Sequence, residues 1–114
     1  MGLDRMRRVD EGVRQVLADV LARGLKDPRV GFVTVTDVRT APDLSHARVY
    51  VSVLGDEQAR TDTLDGLRHA HAFLQGRVAV ELKLRRTPTL EFIYDGTTDR
   101  AQRVEQLLGE VSEP

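Results

Sequence analysis

Leu64–Asp95 reads LDGLRHAHAFLQGRVAVELKLRRTPTLEFIYD, and the change of period inside it decides the fold. Apolar residues recur at helical spacing through Leu64, Leu67, Ala70, Leu74, Val78 and Leu82. After Pro88 the period falls to two, with Leu90 and Phe92 alternating against Glu91 and Ile93. The stretch therefore predicts helix, then helix again after a kink or a straight join, then a strand. Lys83, Arg85 and Arg86 stand at the end of the helical part, which makes it a candidate nucleic-acid surface.

Upstream, Leu3, Met6, Val9, Val13, Val16, Leu17, Val20, Leu21 and Leu25 form the stripe of one amphipathic helix. Asp27-Pro28 stops it, because the residue before proline is forced into an extended conformation. Val30 to Val38 is rich in β-branched residues and predicts a strand. Val38 is out of phase with Val33 and Val35; a bulge near Asp37 or a simple end of pairing would account for it. Ala41-Pro42-Asp43 is a turn, and Ala47 to Leu54 alternates with Ala47, Val49, Val51 and Val53 on one face.

The polar run Asp56 to Thr63 leads to a helix that Thr61, Asp62 or Thr63 would cap. A helical region separates the second and third strands, so these two should pair in parallel. The reading is a small α+β domain of order α-β-β-α-α-β, its three-stranded sheet covered by helices on one side. The domain is expected over residues 1–98, with 99–114 as a tail. In that tail Val104, Leu107, Leu108 and Val111 suit either a short docked helix or a frayed end.

The 114 residues include no cysteine, which removes disulfides, thiolate metal sites and a catalytic thiol. A net charge of −1 argues against polyanion binding by the whole surface, so such binding must come from a local patch. Only 4% of residues are aromatic, which makes base-stacking platforms scarce. No apolar run is long enough to span a bilayer. His69 and His71 are two residues apart and point to different sides of a helix, without a third ligand nearby. Ser45 and Ser52 lack any nucleophile context. No metal, cofactor or catalytic residue is therefore expected. Cations at a helix C-terminus also simply complement its dipole, which is the plainer account of Lys83 to Arg86.

Several blocks in order resemble the ribosome-binding factor A family, the bacterial small-subunit maturation factors. They are Arg8-Val9, Asp27-Pro28-Arg29 followed by Val33-Thr34-Val35, Asp43-Leu44 leading to Ala47 through Ser52, and Leu84-Arg85 through Pro88, Leu90, Phe92 and Tyr94-Asp95. The resemblance runs from Arg8 to about Leu108. It implies a KH-like fold of type II topology, with helices joined at a kink of the form Ala-x-Gly. Here the triplet is Ala70, His71 and Ala72, so alanine replaces the glycine. A basic residue is usual soon after the kink; this chain has Gln75 there, followed by Arg77. No Gly-x-x-Gly loop exists to clamp a nucleic-acid backbone in the ordinary KH manner.

The resemblance further implies a cytoplasmic, non-enzymatic, monomeric protein that binds the small ribosomal subunit and its rRNA. Members are associated with maturation of the leading end of that RNA and with cold adaptation. Residues and resemblance together give the expected RNA-contact set Arg5, Arg7, Arg8, Arg29, His71, Gln75, Arg77, Lys83, Arg85 and Arg86. The alternative is a protein-interaction or regulatory domain that uses an exposed sheet edge, or Leu107 and Leu108 of the tail.

Overall fold

The computed structural model describes residues 2–96. The tail reading and the 98/99 boundary lie outside the described residues. Six elements follow in the expected order: α1 (Gly2–Arg23), β1 (Val33–Thr40), β2 (His46–Val53), α2 (Glu57–His69), α3 (His71–Leu82) and β3 (Thr89–Tyr94). Strands lie in the order β1-β2-β3, the first pair antiparallel and the second parallel. This is the KH-like α+β arrangement.

One face of the sheet supplies Val35, Val38, Ala47, Val49, Val51, Leu90 and Phe92 to a core completed by Val9, Val13 and Leu17 of α1, Leu67 of α2, and Leu74 and Val78 of α3. Full burial of such a side chain gives roughly 1.5–3 kcal/mol, so packing holds these elements more firmly than helix or strand propensity does. Thr34, Arg39, Arg48 and Glu91 on the opposite face are exposed. Pairing in β1 shifts register between Val35 and Asp37, and this bulge at Thr36 returns Val38 to the core at 4% exposure. Of the two accounts of the Val38 phase, the bulge is the one realised.

Two boundaries differ from the sequence reading. The first strand begins at Val33, not Val30, because the backbone before it is used elsewhere. The Val30 N–H donates to the Asp27 carbonyl at 3.2 Å, and the Gly31 N–H donates to the Thr63 hydroxyl at 3.2 Å. This loop presses onto α2 at Gly66, where a Cβ would stand 2.5 Å from Val30 Cγ2. Helix α2 is capped by Asp56, not by Thr61, Asp62 or Thr63; its carboxylate accepts the Ala59 N–H at 2.9 Å. Thr63 is buried inside the helix. The early turns of α2 carry no apolar stripe because they face solvent more than core.

Helices α2 and α3 are divided at Ala70, whose φ of −83° and ψ of 8° place it in the bridge region. The interruption occurs without glycine or proline at 70–72. Both helices reach β3, but α3 packs chiefly on α1 and α2 chiefly on β3. Arg60 of α2 lies over the Tyr94 ring of β3 at 5.0 Å, whereas Leu82 of α3 packs against Gly12 of α1.

Candidate nucleic-acid interface

The contact at Gly12 and Leu82 fixes how α1 and α3 run. Residues Val16, Asp19, Val20 and Arg23 face Arg77 and Glu81, while Gly24 to Asp27 face His69, Ala70 and Phe73. The two helices are thus antiparallel, which puts the N-terminus of α1 beside the C-terminus of α3. Asp10 secures that end by accepting the Thr40 N–H at 2.8 Å, at the last rung of β1. The Thr89 N–H closes the same end from β3 by donating to the Ser45 carbonyl at 3.0 Å. The Asp43 carboxyl in the β1–β2 turn is held below its ordinary value by the Ser45 hydroxyl, then by the Ser45 N–H, with nearby Arg86 adding to the effect.

Arg5, Arg7 and Arg8 therefore come to the same pole of the molecule as Lys83, Arg85 and Arg86. All six are exposed, and among the described residues none of them makes an ion pair. Lys83 ends α3 in the left-handed region, with φ 49° and ψ 40°, and its N–H donates to the Ala79 carbonyl at 3.1 Å. Sequence reading passed over two further cations here. Arg39 and Arg48 sit directly opposite each other on the open face of the sheet and line a recess of about 430 Å³ with Thr40, Ala41, His46 and Glu91. Like charges facing across strands repel, and Asp37 compensates by pairing with Arg39 at 3.0 Å. Their position on the solvent phase of two paired strands, close to the turn, was the available signal.

The other expected contact residues are held elsewhere. Arg29 is gripped by Asp27, which accepts its Nε at 3.0 Å, its Nη2 at 2.6 Å and its backbone N–H at 2.9 Å. That guanidinium, with the backbone N–H, holds the Asp27 carboxyl down at about 2. Arg77 pairs with Glu81 at 2.8 Å, one turn along α3.

His71 and Gln75 serve the edge of β3. Parallel pairing with β2 leaves the polar groups of Leu90 and Phe92 pointing outward. Gln75 Oε1 accepts the Leu90 N–H at 3.0 Å, and Gln75 Nε2 donates to the Pro88 carbonyl at 2.6 Å. His71 Nε2 lies 3.1 Å from the Leu90 carbonyl, and since a carbonyl only accepts, this nitrogen carries the proton. Arg68 adds a 3.4 Å bond to the Phe92 carbonyl. Spaced by three and four residues, Arg68, His71 and Gln75 form a side-chain ladder along an edge that would otherwise invite another strand.

The fold and this cationic pole define a KH-like domain that presents positive charge at one end of its sheet. The sequence model for ribosome-binding factor A matches residues 5–108. A relative of that description from Anaeromyxobacter sp. (strain K) is 53% identical over 108 residues, covering 94% of this chain and 78% of the relative. Among solved structures, the crystal structure of ribosome-binding factor A from Thermus thermophilus is similar with a TM-score of 0.68 at 30% identity, covering 78% of this chain and 94% of that one. A Thermus thermophilus ribosome-binding factor A homology model, fitted into a cryo-EM map of a 30S complex, matches with a TM-score of 0.61 at 32% identity, covering 74% and 88%. The chain belongs to the ribosome-binding factor A family.

Proposed function

We propose that this protein is a non-enzymatic assembly factor that binds the immature small ribosomal subunit in the cytoplasm and assists late maturation of its rRNA. The observation that carries the reading is the meeting of Arg5, Arg7 and Arg8 with Lys83, Arg85 and Arg86 at one pole, although a long stretch of chain separates them. The relative fitted into a 30S map supports the choice of subunit. The chemistry is phosphate neutralisation and shape recognition, with no bond made or broken. The chain's slight net negative charge leaves the remaining surface without attraction for RNA, so the pole sets the orientation. Sedimentation of the protein with immature and mature small subunits at low salt tests this. Co-migration is expected, favouring immature subunits; absence from both fractions overturns the proposal.

A further inference from the structure

Register sets Arg39, Arg48 and Glu91 on one rung across β1, β2 and β3, all on the open face of the sheet. His46 stands two residues before Arg48 on the same face of β2. The recess that these side chains line with Thr40 and Ala41 measures about 430 Å³, within the range of small-molecule sites. It lies beside the β1–β2 turn, at the end of the sheet where the basic clusters of α1 and α3 meet.

The groups around it still have donors and acceptors to offer. Asp37 accepts the Arg39 Nε at 3.0 Å, which steadies that guanidinium and leaves its two Nη groups open. Arg48 and Glu91 are rung partners, yet among the described residues neither side chain makes a hydrogen bond or an ion pair. Ser45 gives its hydroxyl proton to Asp43 at 2.6 Å, so its oxygen accepts from His46 Nδ1 at 2.9 Å. The imidazole is thereby held with a proton on Nδ1.

The signs decide the ligand. Asp37 offsets Arg39 and Glu91 offsets Arg48, so the rung has little net attraction for a bare phosphate. It offers instead a donor fork beside a carboxylate, the pattern that reads the edge of a base. Arginine donates to guanine O6 and N7, a carboxylate accepts from the guanine N1–H and amino group, and imidazole is a stacking surface for an unpaired base. Adenine turns an acceptor nitrogen toward the carboxylate, and cytosine and uracil each bring one donor group to its two oxygens. We infer that this recess binds an unpaired guanine of the RNA whose phosphates the adjoining cations hold. The inference rests on the proposed function for the RNA; the choice of base rests on the rung.

The test measures binding of the full-length protein to the single-stranded pentamers UUGUU, UUAUU and UUCUU by fluorescence anisotropy at one salt concentration. A preference for UUGUU on the order of tenfold is expected, as for one bidentate base contact. Glu91→Gln should erase the preference without lowering affinity for UUAUU, and Arg48→Gln should weaken UUGUU most. Both side chains are exposed, so both variants should melt as the wild type does. R85E/R86E should weaken all three pentamers alike and keep the preference. No binding to any pentamer, equal affinity for all three, or an undiminished preference in Glu91→Gln overturns the inference. GMP that binds as tightly as UUGUU makes a free nucleotide the ligand and overturns the assignment to RNA. A guanine preference in a protein that sediments with no small subunit overturns the proposed function and upholds the guanine recess, so the two failures are distinct.

Discussion

Gln75 holds the Leu90 N–H at 3.0 Å through one end of its amide while the other end donates to the Pro88 carbonyl at 2.6 Å. A helix side chain thus takes the place of a neighbouring strand for the entry into β3. Gln75→Ala leaves two part-buried backbone groups without these partners, a cost of about 1–3 kcal/mol. For a domain of this size each kcal/mol corresponds to roughly 4–8 °C in the thermal midpoint. Calorimetry should show that drop, while affinity for small-subunit RNA at a temperature where the variant is folded stays near wild type. An unchanged midpoint with weakened RNA binding would return Gln75 to the contact surface.

Gly66 illustrates how packing reverses a local preference. Alanine is favoured over glycine in a helix by roughly 1 kcal/mol, yet a Cβ at 66 would stand 2.5 Å from Val30 Cγ2 and 3.4 Å from Arg29 Cβ. Overpacking of this kind costs about 1–3 kcal/mol, so Gly66→Ala should destabilise. The double variant G66A/V30A removes the clash and should recover stability relative to V30A alone. A stabilised G66A single variant would show that the 29–31 loop yields without cost.

Legibility in the sequence followed the range of the forces involved. The strands and the parallel pairing were readable because the period-two pattern of Ala47 to Val53 records burial directly, whereas the offset of Val38 left a bulge and an end of pairing equally open until the register of β1 on β2 decided between them. Val30 to Phe32 misled for the same reason: their β-branched and aromatic character suits a strand, but the backbone there is engaged by Asp27 and Thr63, one of them 32 residues away. The true cap of α2 was hidden because its first turns lack an apolar stripe. Within the candidate site, the two basic clusters were visible and their meeting was not, since that depends on α1 and α3 running antiparallel. The engagement of Arg29 by a carboxylate two residues away was local and could have been weighed; the bonds of His71 and Gln75 to β3 were tertiary.

Asp27 gives a pH test. Its carboxyl lies at about 2 instead of its ordinary 3.8, chiefly through the Arg29 guanidinium and then the Arg29 N–H. A carboxyl whose folded value is depressed stabilises fully above the unfolded value and loses that contribution as pH falls through the folded value. The stability difference between wild type and Asp27→Asn should therefore be constant above about pH 4 and shrink toward pH 2. A difference that stays flat across that window would mean the Asp27–Arg29 pair does not persist in solution.

Lys83 occupies a left-handed position, where a side chain costs roughly 1–2 kcal/mol relative to glycine. Glycine's extra freedom in the unfolded chain returns about 0.4–1 kcal/mol of that. Lys83→Gly should therefore stabilise modestly, by about 1 kcal/mol or less, and raise the midpoint by a few degrees. It also removes a cation from the pole, so RNA affinity should fall as stability rises. Parallel changes in both quantities would separate Lys83 from RNA contact.

The pole itself makes the strictest demand, because its two halves are predicted to act on one RNA surface. If about five phosphates are neutralised, the log–log dependence of binding on salt should have a slope of roughly −3.5 to −4.5. R5E/R8E and R85E/R86E should each reduce the magnitude of that slope by roughly 1.4–1.8, the equivalent of two phosphate contacts. These side chains are exposed and unpaired among the described residues, so surface substitution should leave stability within about 0.5 kcal/mol. Arg29→Ala is the counter-case: its guanidinium is already engaged by Asp27, so it should lower stability and barely change the slope. Loss of slope from one cluster alone would break the pole into a binding half and a solvated half. A slope near zero in the wild-type protein would remove electrostatics from the recognition altogether.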